Sequence, residues 1–245
     1  WHLRSSIDIN YHQVDIYDHA LKSGYQEERV EFRFFAQSNY RLTDRWSSYL
    51  LWRTEYYDNT FIPMIPSFGL EYLLSRNPRI SLLTNATRNY HKPGLNDLYW
   101  IPGGNPNLKA EDGYSLDLGA QWQQKLNHWN IKVSGNLYTS IIDNWIVWQP
   151  SSTGAYYWEA QNLKKVWARG LETQLGLVWI PNTNWELHFN ANYAYTRTTN
   201  QNAVESVDES RGKQLIYIPI HTANFSIDGQ YKNLDFKLGN NSTGK

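Results

Sequence analysis

Residues 185–195 read WELHFNANYAY, and they alternate between apolar or aromatic and polar side chains over almost their whole length. Successive side chains of a β-strand point to opposite faces, so this period of two predicts a strand with one apolar and one polar face. The same alternation recurs at 114–123 and at 129–137. The sequence therefore predicts a chain dominated by β-sheet, not by helices.

Counting such alternating runs gives about eleven strands. The predicted strands are 3–17, 27–41, 45–57, 66–76, 79–90, 113–125, 129–142, 162–180, 185–196, 216–231 and 234–241. Five of the ten connections between consecutive strands are short polar breaks with the composition of hairpin turns, at 43–44, 77–78, 127–128, 181–184 and 232–233. Long connections are predicted near 18–26, 58–65, 91–112, 143–160 and 197–215. No linker divides the runs, so residues 1–245 are expected to be part of one domain.

The composition excludes several kinds of protein. Among 245 residues, 23 basic side chains balance 23 acidic ones, so no basic field favours a nucleic-acid partner. Cysteine is absent, which removes disulfides, thiolate nucleophiles and cysteine zinc sites. No run approaches the ~20 apolar residues of a membrane-spanning helix. Because 12 Trp and 18 Tyr supply much of the hydrophobic content, the placement of aromatic residues is the next clue.

Large aromatic residues lie close to the short turns, mostly on the apolar side of their strands. They are Tyr40, Trp46, Trp122, Trp129, Trp179, Trp185 and Tyr231. Such rings favour the membrane interface, and polar side chains on the other parity suit a water-lined interior. The runs of ~12 residues also exceed the ~5–6 residues of a usual globular strand. This pattern favours a transmembrane β-barrel over a sandwich or propeller that buries the same aromatic residues in a core.

The stretch 85–119, NATRNYHKPGLNDLYWIPGGNPNLKAEDGYSLDLG, closely resembles the TonB-dependent outer-membrane receptors. It carries their P-x-L-N-D-L-Y segment at 93–99 and their G-N-P-x-L-K-x-E segment at 104–111. Further along the chain, 161–172 and 219–224 are similar, in the same order, to two later barrel strands of that family. The resemblance runs from roughly residue 79 onward.

The resemblance implies an all-β fold, an antiparallel up-and-down transmembrane β-barrel of ~22 strands. The chain is expected to be a segment of about eleven of those strands, with the family's plug domain absent. The resemblance also implies the outer membrane of a Gram-negative bacterium and energised uptake of a scarce ligand such as cobalamin or a ferric siderophore. The implied partners are that small-molecule ligand, the lipid bilayer, a TonB-type energising protein acting through the missing plug, and a surface lipoprotein. Neither a cofactor nor a nucleic acid is expected.

Aromatic residues in the predicted loop 143–160, and in the connection before it, are candidates for ligand binding. Exposed rings are costly unless they pack or bind, and they suit flat organic ligands, sugar faces and macrocycles. The candidates are Tyr99, Trp100, Trp145, Trp148, Tyr156, Tyr157 and Trp158, with Tyr56 and Tyr57 in a further predicted loop. The alternative is that the rings pack on one another and stiffen the loop.

Catalytic and metal motifs are weak. The chain has no G-x-S-x-G elbow, no H-E-x-x-H helix and no Walker loop, so the Gly-rich segment 103–106 is expected only to shape an outer loop. Glu111, Asp112 and Asp117 form a loose acidic cluster that lacks the dense spacing of a calcium loop. His188 shares the polar side of its strand with Glu186 and is expected to hydrogen-bond there. No catalytic or metal site is predicted.

Two other functions remain open from the residues alone. A soluble secreted carbohydrate-binding protein, with a β-propeller or sandwich fold, would stack loop tryptophans on sugars. That protein would have to bury the apolar sides of 46–52 and 129–133. An outer-membrane enzyme would depend on one Ser or His for hydrolysis. We expect the chain not to be an enzyme.

Overall fold

The structure is a computed structural model that describes residues 1–20, 22–151, 154, 156–201 and 211–244, with Lys164 described by its backbone only. It contains eleven strands and one short helix in the described residues. The elements are β1 His2–Asp18, β2 Ser23–Arg41, β3 Trp46–Tyr57, β4 Thr60–Arg76, β5 Arg79–His91, α1 Leu95–Tyr99, β6 Glu111–Leu126, β7 Trp129–Pro150, β8 Trp158–Asn182, β9 Trp185–Asn200, β10 His221–Tyr231 and β11 Leu234–Gly244.

All eleven strands form one antiparallel sheet in which each strand pairs with the next along the chain. The predicted all-β, up-and-down order is therefore confirmed. One edge of the sheet carries the short connections 42–45, 77–78, 127–128, 183–184 and 232–233, and we call it the turn edge. The opposite edge, the loop edge, carries 19–22, 58–59, 92–110, 151–157 and 201–220. The short turns lie where the sequence predicts them.

Two of the predicted long loops are wrong. Residues 58–65 contain only a two-residue turn, because Asp58 and Asn59 both adopt the left-handed region, with φ of 45° and 59°, which suits a tight hairpin. Residues 143–160 are mostly strand, since the β7–β8 ladder continues from Trp145 opposite Leu163 to Pro150 opposite Trp158. In both places β-branched and aromatic residues extend the sheet. Conversely, β10 begins at His221, five positions later than the predicted start at 216.

The apolar face of the sheet is exposed. Leu50 is 54% exposed, Trp52 48% and Val133 41%, although a soluble fold would have to bury these faces. The buried hydrophobic residues in the described part of the chain number only six: Tyr57, Ile65, Leu98, Ala160, Leu163 and Val166. A continuous apolar face of this size marks contact with another phase, and so this surface contradicts the soluble sandwich or propeller. No helix in the described ranges is both long and apolar enough to cross a membrane.

Aromatic rings pair across neighbouring strands along the turn edge. Trp46 lies 4.6 Å from Tyr72, and Trp185 lies 4.4 Å from Tyr231, between ring centroids. Trp129 stacks on Trp179, its direct cross-strand partner, at 5.7 Å. Five of the seven aromatic residues predicted near the short turns therefore pair along the turn edge, and we call these five the girdle: Trp46, Trp129, Trp179, Trp185 and Tyr231. Such rings favour the interface of a membrane barrel.

The polar face is organised by side chains that reach across two strands. Tyr49 on β3 lies over Gly69 on β4, and its hydroxyl donates a hydrogen bond to Asn85 Oδ1 on β5. A Cβ atom at Gly69 would overlap the Tyr49 ring, so only glycine leaves room for this crossing. Tyr138 reaches Thr196 Oγ1 across β8 in the same way, over 2.9 Å.

Candidate functional site

Segment 92–110 connects β5 to β6 and lies against the polar face at the loop edge. At the start of α1, the Gly94 N–H donates to Asp97 Oδ2 over 2.9 Å. The Asn105 N–H donates to the Asp97 carbonyl over 2.8 Å, which turns the chain back after the helix. The buried Arg29 of β2 donates to the Pro93 carbonyl over 2.8 Å and holds the beginning of the segment.

The second half of segment 92–110 is attached to the extended ends of β7 and β8. The Ala160 N–H donates to the Gly103 carbonyl over 2.7 Å. Asn162 accepts from the Lys109 N–H over 2.8 Å and donates back to the Lys109 carbonyl over 3.0 Å. Gly103 has φ of 110°, and a Cβ there would overlap the Trp158 carbonyl. Segment 103–106 therefore shapes a loop at the loop edge, and that this loop is an outer one stays a prediction.

Trp148 joins the extended end of β7 directly to α1. Its indole Nε1–H donates to Asp97 Oδ1 over 2.9 Å, while the other carboxylate oxygen of Asp97 accepts from Gly94. One aspartate therefore starts α1 and also binds the strand extension. Trp148 acts here as a brace, which is the packing alternative for the aromatic residues.

The other candidate aromatics lie in separate places and do not form one cluster. Tyr156 is fully exposed, and Trp158 is 41% exposed with its ring 6.1 Å from that of Tyr217. Tyr99 packs near Tyr25 at 6.2 Å. Three candidates, Trp100, Trp145 and Tyr157, are half-buried. Residues 152, 153 and 155 of the predicted loop lie outside the described residues, as do 202–210 of the predicted loop 197–215. The structure describes where the rings lie, and their role in binding stays a prediction.

A charged cluster lines a cavity of about 690 Å³ beneath residues 92–97. The cluster consists of Arg29, Glu31, Arg33, Arg53, Glu55 and Lys92. Glu31 is almost completely buried and lies 2.6 Å from an Arg33 nitrogen and 3.0 Å from Lys92 Nζ. Lys92 Nζ is also 3.9 Å from Glu55, so it bridges the two strands that carry the carboxylates. Buried charges require such partners.

The charged cluster still has unused hydrogen-bond donors. Arg33 Nε and Arg53 Nε are the buried side-chain nitrogens without a hydrogen bond in the described part of the chain. Arg53 Nε lies 3.0 Å from Glu55 Oε1, which is an ion-pair distance, but the two are not aligned for a hydrogen bond. Both Nε–H groups are donors that could bind an oxygen acceptor in this cavity.

Burial and charge have opposite effects on the pKa of Glu31. Glu31 lies opposite Tyr57, the last residue of β3, at the loop edge. Burial alone would raise the pKa of Glu31, but hydrogen bonds from Lys92 and Arg33 outweigh it, so the pKa lies below its usual value. At the same edge, the hydrogen bond with Glu111 raises the pKa of His91. The cluster therefore favours the ionised form of Glu31.

Sequence reasoning missed the charged cluster. Arg29, Glu31 and Arg33 alternate along β2, and Arg53 and Glu55 alternate along β3, so their shared parity is visible in the sequence. Their meeting depends on the β2–β3 register, in which Arg33 lies opposite Glu55. Lys92 comes from a connection, and nothing in its local sequence places it between the two glutamates.

The acidic residues near the start of β6 are each held by different partners. Asp112 forms a two-bond ion pair with Arg88 at 2.9 and 2.6 Å, and Glu111 accepts from the Ile146 N–H over 2.7 Å. Asp117 lies further along β6 and accepts from Asn136 over 3.3 Å. In the described ranges, no three His, Asp or Glu residues come close enough to hold a metal ion.

His188 hydrogen-bonds with Glu186 over 2.7 Å on the polar face. This is the arrangement expected from their shared parity on β9. The neighbouring Asp228 on β10 pairs with Lys237 over 2.9 Å.

Comparison with known proteins gives one family. The family model for the TonB dependent receptor-like β-barrel matches residues 3–245. The vitamin B12 transporter BtuB of Photobacterium profundum is 27% identical over 193 residues, which cover 78% of this chain and 28% of that protein. The chain thus spans less than a third of the length of this relative.

Solved structures with the same fold include other receptors and transporters. The copper transporter OprC superposes with a TM-score of 0.65 at 17% identity, covering 97% of this chain and 40% of its own. The siderophore receptor PirA from Pseudomonas aeruginosa gives a TM-score of 0.64 at 14% identity, covering 99% and 45%. At these identities the likeness concerns the fold. Since the family model covers nearly every residue of the two-faced sheet, the chain belongs to the TonB dependent receptor-like β-barrel family.

Proposed function

We propose that this chain forms part of an outer-membrane receptor that captures a scarce ligand and imports it with energy supplied through a TonB-type protein. Residues 1–245 would then be part of one barrel domain in the outer membrane of a Gram-negative bacterium. The exposed apolar face would contact lipid, and the polar face would line the interior. The named relatives are receptors and transporters, and the proposal assigns no catalysis to the chain.

The observation that carries the proposal is the charged cavity beneath segment 92–110. In such barrels the longer loops are extracellular, so the loop edge is where a ligand would arrive. The cavity there is lined by Arg33 and Arg53, whose Nε–H groups have no hydrogen-bond partner among the described residues, and by the half-buried ring of Tyr90. Rings and polar donors together suit a large ligand with both flat and oxygen-rich parts.

We infer two ligand classes, cobalamin and a ferric siderophore. The vitamin B12 transporter among the relatives supports the first, and the siderophore receptor among the similar structures supports the second. The energising protein would act through the plug domain of the whole receptor, and a surface lipoprotein is a further proposed partner.

The test is binding and uptake by the full-length receptor in cells that lack their own transporter for each ligand. Labelled cobalamin, a labelled ferric siderophore and a labelled oligosaccharide are compared, with and without a proton-gradient uncoupler. We expect binding of one of the first two in both conditions and its accumulation only in energised cells. Binding of none of them, or accumulation that the uncoupler leaves unchanged, would contradict the proposal.

A matched pair of variants connects the ligand to the cavity. Arg53→Gln removes a guanidinium of the charged cluster, whereas Arg41→Gln removes one that is exposed at the turn edge. We expect at least about tenfold weaker binding for Arg53→Gln, equivalent to ~1.4 kcal/mol, and unchanged binding for Arg41→Gln.

A further inference from the structure

Two arginines face each other on the apolar face near the loop edge. Arg169 on β8 and Arg197 on β9 are direct cross-strand partners. Leu171 and Tyr195, the next cross-strand pair on the same face toward the turn edge, both point outward. The two arginines therefore also lie on the outward face. Like charges directly opposite each other on one face of a sheet are destabilising.

Neither arginine has a carboxylate partner among the described residues. Arg169 donates to the Trp167 carbonyl over 3.4 Å and to Thr199 Oγ1 over 3.2 Å, and it stacks 3.7 Å above the Trp167 ring. Arg197 is exposed. Two other outward cations near this edge have carboxylate partners, since Arg88 pairs with Asp112 and Lys165 lies 3.6 Å from Asp143. The Arg169–Arg197 pair is thus a concentrated positive charge.

The depth of this pair matches the headgroup region. Arg197 follows Trp185 of the turn-edge girdle by twelve positions on one strand, which is roughly 40 Å at ~3.3 Å per residue. For a strand tilted by ~45°, that is roughly 28 Å along the membrane normal, compared with an apolar band of ~25 Å. Arg197 therefore lies near the outer boundary of the hydrocarbon.

Aromatic residues of an outer interface surround the pair. The Trp167 ring lies against the Arg169 guanidinium, and its indole N–H donates to Thr139 Oγ1 over 2.8 Å. Tyr193 and Tyr195 lie next to His221, and the Tyr193 hydroxyl is 2.9 Å from His221 Nδ1. Tryptophan and tyrosine favour this level of a bilayer because their rings are apolar and their tips are polar.

We propose that Arg169 and Arg197 together bind a phosphate group of an anionic lipid in the outer leaflet. Two guanidinium groups present several N–H donors to one phosphate, and the bound anion removes their mutual repulsion. The lipid's acyl chains would lie on the apolar face toward the turn edge, over Leu171 and Leu137. The inference uses the membrane placement of the proposed function and is independent of which ligand is imported.

The test measures lipid retained by the full-length receptor purified in mild detergent, by native mass spectrometry. Lipid-depleted receptor is titrated with a diphosphorylated glucosamine lipid, with the same lipid stripped of its phosphates, and with inorganic phosphate. We expect saturable binding of the phosphorylated lipid, at least about tenfold weaker binding of the stripped lipid, and no retention of inorganic phosphate at equal concentration. Equal binding of both lipids would overturn the proposal, and retention of phosphate alone would make the pair a free-anion site.

Variants locate the site. Arg169→Gln with Arg197→Gln should weaken binding of the phosphorylated lipid at least about tenfold, whereas Lys165→Gln, four residues nearer the loop edge on the same face of β8, should not. Should the double glutamine variant assemble poorly, Arg169→Lys with Arg197→Lys keeps the charges and loses the paired N–H geometry, and we expect it to bind more weakly than the parent. Parent-like binding in the double variants would contradict the proposal even if ligand import is fully retained.

Discussion

The indole N–H of Trp148 donates to Asp97 Oδ1 over 2.9 Å and thereby joins the extended end of β7 to the helix of segment 92–110. Asp97 also caps the start of α1 through Gly94. Two parts of the chain that are fifty-one residues apart share one carboxylate. The roof of the charged cavity therefore depends on an aromatic residue of the neighbouring strand.

Replacing Trp148 by Phe should loosen this roof. The change removes one hydrogen bond to a charged acceptor, a contribution of about 1.5–3 kcal/mol, while it keeps most of the ring. We expect amide hydrogen exchange in 95–105 to accelerate at least about tenfold, with no change in the spanning strands. Trp145→Phe is the control, because the Trp145 indole makes no hydrogen bond within the described ranges. Equal acceleration in both variants would assign the effect to general loosening of β7.

Tyr156 is the aromatic candidate most available to a ligand, since its side chain is fully exposed. Tyr156→Ala should weaken ligand binding by about 1–2 kcal/mol if the ring stacks on the ligand, and it should leave exchange in 95–105 unchanged. Trp148→Ala should change both quantities. Unchanged ligand affinity in Tyr156→Ala, measured by titration of the full-length receptor, would remove this ring from the binding surface.

The ion pair of His91 with Glu111 should respond to pH. Hydrogen bonding to Glu111 raises the pKa of His91 above its usual value of 6.5. Because the folded-state pKa is raised, the stabilisation is complete below about 6.5 and is lost as the pH rises through the folded-state value. NMR titration of His91 should show the raised pKa in the parent.

Glu111→Gln provides the control for this titration. Glutamine can still accept from the Ile146 N–H, which Glu111 Oε1 accepts over 2.7 Å, but it carries no charge. The pKa of His91 should therefore fall toward its usual value while the loop geometry is kept. An identical pKa in the parent and in Glu111→Gln would show that the ion pair does not form.

Gly69→Ala tests the crossing of Tyr49 on the polar face. A Cβ at position 69 overlaps the Tyr49 ring, and overpacking of this kind costs about 1–3 kcal/mol. Gly176→Ala is the control, because its nearest neighbour would lie at 3.7 Å. Urea titrations of the receptor folded in lipid should show destabilisation only for Gly69→Ala. Adding Tyr49→Ala should cancel most of the difference between the two variants, and a purely additive double variant would refute the overlap.

Periodicity predicted the sheet because strands such as 185–195 carry their faces in every second residue. It failed at 143–150, where Trp145, Ile146, Val147 and Trp148 follow a left-handed Asn144 with φ of 56°. A run of consecutive apolar residues lacks the alternation by which a two-faced strand is recognised. The run was therefore interpreted as a loop, although it extends β7. Segment 92–110 was recognised by its motif, but its bonds to Asn162 and Trp148 depend on strand register.

The charged cluster was invisible for a similar reason. The alternation of Arg29, Glu31 and Arg33 shows that these residues share a face, but it does not show that Lys92 lies within 3.0 Å of Glu31. Nor does any sequence pattern place Arg169 opposite Arg197. Contacts between strands are set by register and by turns, which a single sequence specifies only coarsely.

The central claim is that one face of this sheet contacts lipid and the other lines a water-filled interior. Phe189 lies on the apolar face opposite Leu177 and Ile227, and Asn190 lies next to it on the polar face. The decisive measurement is the free energy of folding of the full-length receptor into lipid vesicles for Phe189→Arg and for Asn190→Arg. We predict a loss of about 2–4 kcal/mol for Phe189→Arg and a much smaller loss for Asn190→Arg. Equal losses at the two positions would contradict the membrane-spanning arrangement.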